Sequence, residues 1–337
     1  MRSVQFIIAV GFVILASTAW TPEGGDLHES VSSLLEALGD DPSPHYADLS
    51  MEHASMDRGK DIVLKGKSNR QGKKSRLQSK YFTCVACHNV EREDPDLADP
   101  SPKARLPFVA EKQLPYLQGS PLYGVVNRSS FYNGDYEKKY GDLVKPTRRD
   151  LRKAIQLCAV ECSQGRALKA WEIESVLAYL WTIDLKVADL NLSEEEKNIV
   201  EKALNKGEDR QGAIELIKSK FKPDSPARFL EPPVDRTKVS AEADPVNGER
   251  LYELSCLHCH LNNPFAFFRL DRSKVTFRYL QKHLSDYTEH SVYQVVRYGT
   301  LPKGGKRGYM PQYTEQKMTD VQLSDLRAYI DRQVEKP

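Results

Sequence analysis

Two short stretches decide how this chain reads: Cys84-Val85-Ala86-Cys87-His88 and Cys256-Leu257-His258-Cys259-His260. Each sets two thiols about one helical turn apart with an imidazole directly after them. A c-type haem needs that arrangement, because it is held by two thioethers and one iron–nitrogen bond. A structural zinc site would require further Cys or His at short spacing, yet residues 89–255 contain no His. A thioredoxin-like dithiol would sit in a βαβ pattern, which is absent. The motifs therefore predict two covalently bound haem c groups. Cys84, Cys87, Cys256 and Cys259 are the expected attachment points, and His88 and His260 the proximal iron ligands. His258, a spacer residue, is expected at the surface or beside a propionate.

Around these motifs the chain has ordinary globular composition: 337 residues, 40% of them apolar, with a net charge of +2. That length suits two modest cores rather than one, and the near-neutral balance gives no reason to expect nucleic acid. Arg2 precedes an apolar run from Val4 to Ala16 that ends in Ala16-Ser17-Thr18-Ala19. This reads as a secretory signal peptide over residues 1–20, cut near Ala19. The run is shorter than the roughly 20 apolar residues of a bilayer span. The expectation is a soluble periplasmic or otherwise extracytoplasmic protein with no stable membrane span after cleavage.

The chain also reads as one unit used twice. A helix over Arg58–Leu64 precedes the first motif, and Asn247–Tyr252 stands in the same place before the second. Trp171, Ile173, Val176, Leu177, Leu180 and Trp181 share one helical face, as do Val321, Leu323, Leu326, Tyr329 and Ile330. This order resembles the class I cytochrome c fold over residues 57–185 and 245–335. The resemblance implies a mainly α protein in which the first and last helices of each domain cross. The expected layout is an N-terminal extension over 21–56, domain one over 57–187, domain two over 245–337, and a helical connector and linker over 188–244. A capping box at Ser193 and Glu196 opens the connector, and Pro223, Pro226, Pro232 and Pro233 break it.

Each haem iron has a second axial position, whose occupant is a main lever on potential. In domain two, Gly308-Tyr309-Met310-Pro311-Gln312 resembles the Met-Pro loop of class I cytochromes, so Met310 is the expected ligand; Met318 is placed in the core. Domain one has neither Met nor a non-motif His between residues 89 and 257. Counting back from its closing helix puts the ligand in Leu157–Arg166, where Cys162 is preferred to Cys158 and Arg166 would favour a thiolate. A local Cys158–Cys162 disulfide, an open iron, or a Lys or Asn ligand are the other readings.

Lys65, Lys67, Arg70, Lys73, Lys74, Arg76 and Lys80 crowd the approach to the first motif, and Lys303, Lys306 and Arg307 flank Met310. Such charge would steer an acidic redox partner protein, or hold a small anion near the first haem; solvated loops are the equal alternative. The function that needs only these features is transfer of single electrons between redox partners in the cell envelope, with no catalytic residue assigned. A dihaem oxidoreductase of sulfur compounds, similar to thiosulfate dehydrogenase and with the first haem as active site, is the second reading. Dihaem peroxidases rank last, since they use a His between the motifs.

Overall fold

A computed structural model describes residues 30–70, 73–224, 226–262, 266, 268–302 and 308–336. The expected signal peptide and the basic residues Lys303, Lys306 and Arg307 lie outside the described residues. Within them the protein is mainly α, and strand pairing is limited to two two-residue ladders and one isolated bridge.

Two helix crossings organise the fold. Met56–Lys65 crosses Ala170–Leu180, and Pro245–Leu251 crosses Asp320–Glu335. Both crossings rest on a glycine. A Cβ on Gly59 would fall 1.8 Å from the Ser175 carbonyl oxygen, and one on Gly248 would fall 2.0 Å from that of Asp325. No side chain can occupy such a point, so only glycine lets the backbones approach this closely. The helix starts correspond as well. The Ser55 amide donates to the Ser175 hydroxyl at 3.0 Å, and the Asp244 amide donates to the Asp325 carboxylate at 2.7 Å. Tyr179 and Tyr329, each four residues beyond, are both buried.

Three apolar clusters surround these elements. The first joins Ile62, Val63, Val126, Leu151, Trp171, Leu177 and Leu180. The second joins Leu251, Tyr252, Phe277, Leu280, Val296, Leu326 and Ile330, and it also draws in Leu106, Val109 and Tyr116 from the chain between the first motif and its closing helix. Tyr116 is pinned there through its backbone. Its amide donates to Leu254 O at 3.0 Å, while its carbonyl accepts from Ser255 Oγ at 2.9 Å and from Tyr313 Oη at 3.2 Å. The segment expected to serve the first region thus helps build the second.

The third cluster packs the helix Val31–Leu38 on Glu194–Lys206 and Arg210–Ser219. The described part of the N-terminal extension and the connector therefore share one small core. Leu185 O, which accepts from the Val31 amide at 2.8 Å, ties that core to the end of the first closing helix. The proline-rich strap after it is anchored by Pro226-Ala227, which pairs in parallel with Asn133-Gly134.

Buried charge joins the two helix-crossing regions. Glu93 sits between Asn89, at 2.8 Å, and Lys317, at 2.6 Å. Arg105 reaches Asp94 at 2.9 Å and donates to Gln316 O at 2.5 Å. All four charged residues are buried, where an ion pair is tolerated only when its members stay matched. Lys317, desolvated among them, is pushed down to about 8.

Candidate haem sites

The two motifs are mounted differently. In the second, Pro245–Leu251 continues through the π turn Tyr252–Cys256 into Leu257–His260, so the thiols and the imidazole extend their own opening helix. In the first, the opening helix stops at Gly66 with φ +69°, and the chain makes the basic hairpin Asn69–Arg70/Lys73–Lys74 before a short 3-10 turn, Cys84–Ala86, carries the thiols.

The two motif histidines are oriented alike. His88 Nδ1 lies 2.6 Å from Ser120 O, and His260 Nδ1 lies 2.6 Å from Phe268 O. A carbonyl only accepts, so each Nδ1 must carry the proton, and each Nε2 keeps the lone pair that a metal needs. Burial lowers the pKa of both imidazoles, which favours the neutral form. Gly119 allows the first of these contacts: its amide donates to Cys87 O at 2.8 Å, and a Cβ there would fall 2.4 Å from the His88 ring. Sequence reading missed Gly119 and Ser120, because the backbone carbonyl that orients a histidine has no residue signature.

Burial pushes the Cys84 thiol up to about 11 and Cys256 up to about 12. Cys87 is raised by burial and then by the neighbouring thiols of Cys259, Cys162 and Cys84. The two motifs and the Cys162 turn therefore converge. His258 is exposed.

Covalent haem c brings two carboxylates as well as iron, and the residues behind His88 suit one of them. A cleft of about 180 Å³ is lined by Gln118, Ser120, Arg128 and Lys317. Among the described residues the Arg128 guanidinium donates one hydrogen bond, to Pro121 O at 3.2 Å, and desolvation pushes it down to about 10. A guanidinium with spare donors beside the His88 imidazole is matched to a carboxylate. The buried Gln118 Oε1 also has no partner there.

The distal candidates fall as follows. Met310 is half-buried against the second cluster, with its amide donating to Thr300 Oγ1 at 2.8 Å and its carbonyl accepting from the Thr300 amide at 2.9 Å. Gly299, with φ +66°, turns the chain beneath it, and a Cβ there would meet Met310 O at 2.4 Å. Met318 is 1% exposed in the core, and its carbonyl accepts from Arg297. In the first region Cys158 and Cys162 begin and end a π turn. The two thiols perturb each other electrostatically, and both stand near the thiols of the first motif. Arg166 does not face them: its Nη1 and Nη2 bind Glu172 at 2.7 and 2.6 Å.

Tyr309, beside Met310, donates to Cys162 O at 2.7 Å and packs its ring edge-on against Phe82 at 5.5 Å. The loop expected over one haem therefore holds the turn expected over the other. The Tyr309 pair was hidden in the sequence, where 147 positions separate its members.

A crossed helix pair, a Cys-x-x-Cys-His turn with an oriented imidazole, and a Met-bearing loop define a c-type cytochrome domain in the C-terminal region. Residues 243–330 match the family model described as cytochrome c oxidase, cbb3-type, subunit III. No curated protein and no solved structure matches the chain. A domain of this class holds haem c covalently and transfers electrons. Among the described residues no helix is long and apolar enough to cross a membrane.

Proposed function

We propose that this chain is an exported dihaem c-type cytochrome that passes single electrons between redox partner proteins. It would use one class I cytochrome c-like domain over 57–187 and another over 245–337. The observation that carries the reading is the repeated mounting of His88 and His260, each with Nδ1 on a backbone carbonyl at 2.6 Å. Cys84 and Cys87 would bind one haem, and Cys256 and Cys259 the other. When bound, haem c supplies a one-electron iron couple.

The chain's own residues set what that couple does. Met310 and Cys162 are the sixth ligands in this reading. A thioether favours ferrous iron and a thiolate favours ferric iron, so the second haem is the higher-potential centre. Arg128 supplies a charge partner for a haem carboxylate, and the exposed Lys65, Lys67, Lys74, Arg76 and Lys80 offer a surface for an acidic partner. Intact-mass measurement of the exported protein should find two covalent haems; one or none overturns the reading. Met310→Leu should lower the potential of the second haem alone, and Met318→Leu should not. Sustained turnover of thiosulfate by the purified protein would make the first site an enzyme's centre instead of a carrier's.

A further inference from the structure

Cys158 and Cys162 occupy the two ends of one π turn, closed by the Ser163 amide on Cys158 O at 2.8 Å. A π turn inside a helix commonly marks a functional position. This one is clamped from outside by groups that spare its sulfurs. Gln78 Nε2 donates to Ala159 O at 2.6 Å and to Ser163 Oγ at 2.9 Å, and Ser79 Oγ donates to Ser163 O at 2.5 Å. The two thiols interact with each other, and the Tyr132 hydroxyl stands 4.0 Å from Cys162 Sγ. Tyr136, Tyr140 and Tyr309 are close enough to sense Cys162. Arg166, the nearest cation in sequence, is committed to Glu172.

Two adjacent thiols in an aromatic setting have a way to lose their charge that a lone thiol lacks. Residues four apart in a helical turn have Cα atoms about 6 Å apart, within the span that a disulfide bridges. The clamps hold backbone atoms and Ser163, so a bond between the sulfurs can form while every clamp stays made.

We propose that Cys158 and Cys162 are a reversible dithiol–disulfide couple, and that its closure withdraws Cys162 from the first haem iron. The oxidant class is a low-molecular-weight disulfide, RSSR. One cysteine thiolate attacks RSSR and releases RS⁻, and the second cysteine then displaces the other RS⁻ from the mixed disulfide. One S–S bond breaks and one forms. The cysteine pair gives up two electrons and two protons, and both appear on two RSH. The closure itself stands on the placement of the two cysteines at the ends of one π turn; its effect on the iron rests on the reading of Cys162 as distal ligand.

The test uses the full haem-loaded protein, equilibrated over graded ratios of reduced to oxidised glutathione. Each sample is quenched by alkylation, the peptide holding Cys158 and Cys162 is weighed, and the first haem is followed by low-temperature magnetic resonance. The expected result is a reversible loss of two hydrogens from that peptide with a single midpoint, tracked by loss of the low-spin ferric signal. Cys158→Ala and Cys158→Ser should both keep the low-spin signal at every ratio. A peptide that stays doubly alkylated throughout, or one that stays cross-linked in full reductant, overturns the couple. Reversible closure with an unchanged haem signal upholds the couple and removes Cys162 as ligand.

Discussion

The two Cys-x-x-Cys-His motifs are mounted on equivalent crossed helices yet reached by different routes, and the difference shows what the first region does with its extra chain. In the second region the motif follows directly from its opening helix through a π turn. In the first, a basic hairpin intervenes, and the end of that detour, Gln78-Ser79, binds the π turn carrying Cys158 and Cys162. One region places a π turn just before its Cys-x-x-Cys-His pentad, and the other places one in the segment proposed to lie over its site. The regions are also not independent: Tyr116, Tyr309 and the Glu93–Lys317 pair cross between them.

The hardest test of that union is Glu93→Leu, which leaves Lys317 buried without its carboxylate. Unfolding in urea should show a loss of about 3–5 kcal/mol, with both helix-crossing regions melting together. A loss confined to one region would mean that the two are separately stable. The next test concerns their equivalence. Gly59→Ala and Gly248→Ala each force a Cβ onto a backbone oxygen, so each should cost about 3 kcal/mol. A cost below about 0.5 kcal/mol at either position, an ordinary surface-substitution value, would end the claim that the crossings correspond.

Alkaline pH should expose the weld through Tyr116. Burial raises its hydroxyl to about 12, above the ordinary value near 10. The unfolded chain therefore loses the phenolic proton first. The stability tied to this proton is complete below about pH 10 and is lost as pH rises towards 12. Tyr116→Phe should make that part of the pH–stability curve shallower, measured by urea midpoint, while other tyrosines with raised hydroxyls, such as Tyr46 and Tyr329, keep the remaining slope; an unchanged slope would remove Tyr116 as a contributor. The smallest effect is expected for Tyr309→Phe, which keeps the ring against Phe82 and removes the bond to Cys162 O, worth about 1 kcal/mol. Its informative readout is the spectrum of the first haem, which should broaden or shift although the substitution lies in the second region's loop. No change there would uncouple the two distal elements.

Much of this was legible from residues alone, for particular reasons. The Cys-x-x-Cys-His pentads are local chemistry, complete within five positions. The opening and closing helices announced themselves because apolar residues recur at helical spacing, whereas the glycines that let them cross, Gly59 and Gly248, carry no such signal, since only the packed partner backbone shows why a Cβ is excluded there. The expectation that Arg166 would face the thiols failed because Glu172, six residues on, offers it a bidentate carboxylate at a helix start. The N-terminal extension was not joined to the connector in the sequence, because the helix Val31–Leu38 finds its apolar partners only there, on helices far along the chain.

What the sequence determined by itself, then, is the set of local patterns: two Cys-x-x-Cys-His pentads, two helix pairs and the residue types proposed as distal ligands. The tertiary structure alone decided that Ser120 and Phe268 aim the histidines, that Gln78 and Ser79 hold the Cys158–Cys162 turn, and that Tyr116, Tyr309 and Lys317 join the two regions. The physical reason is that motif and periodicity depend on neighbours within a turn or two. Backbone carbonyls, clamps and buried ion pairs depend on which distant segments must share a dry interior, and that is settled only when the whole chain has packed.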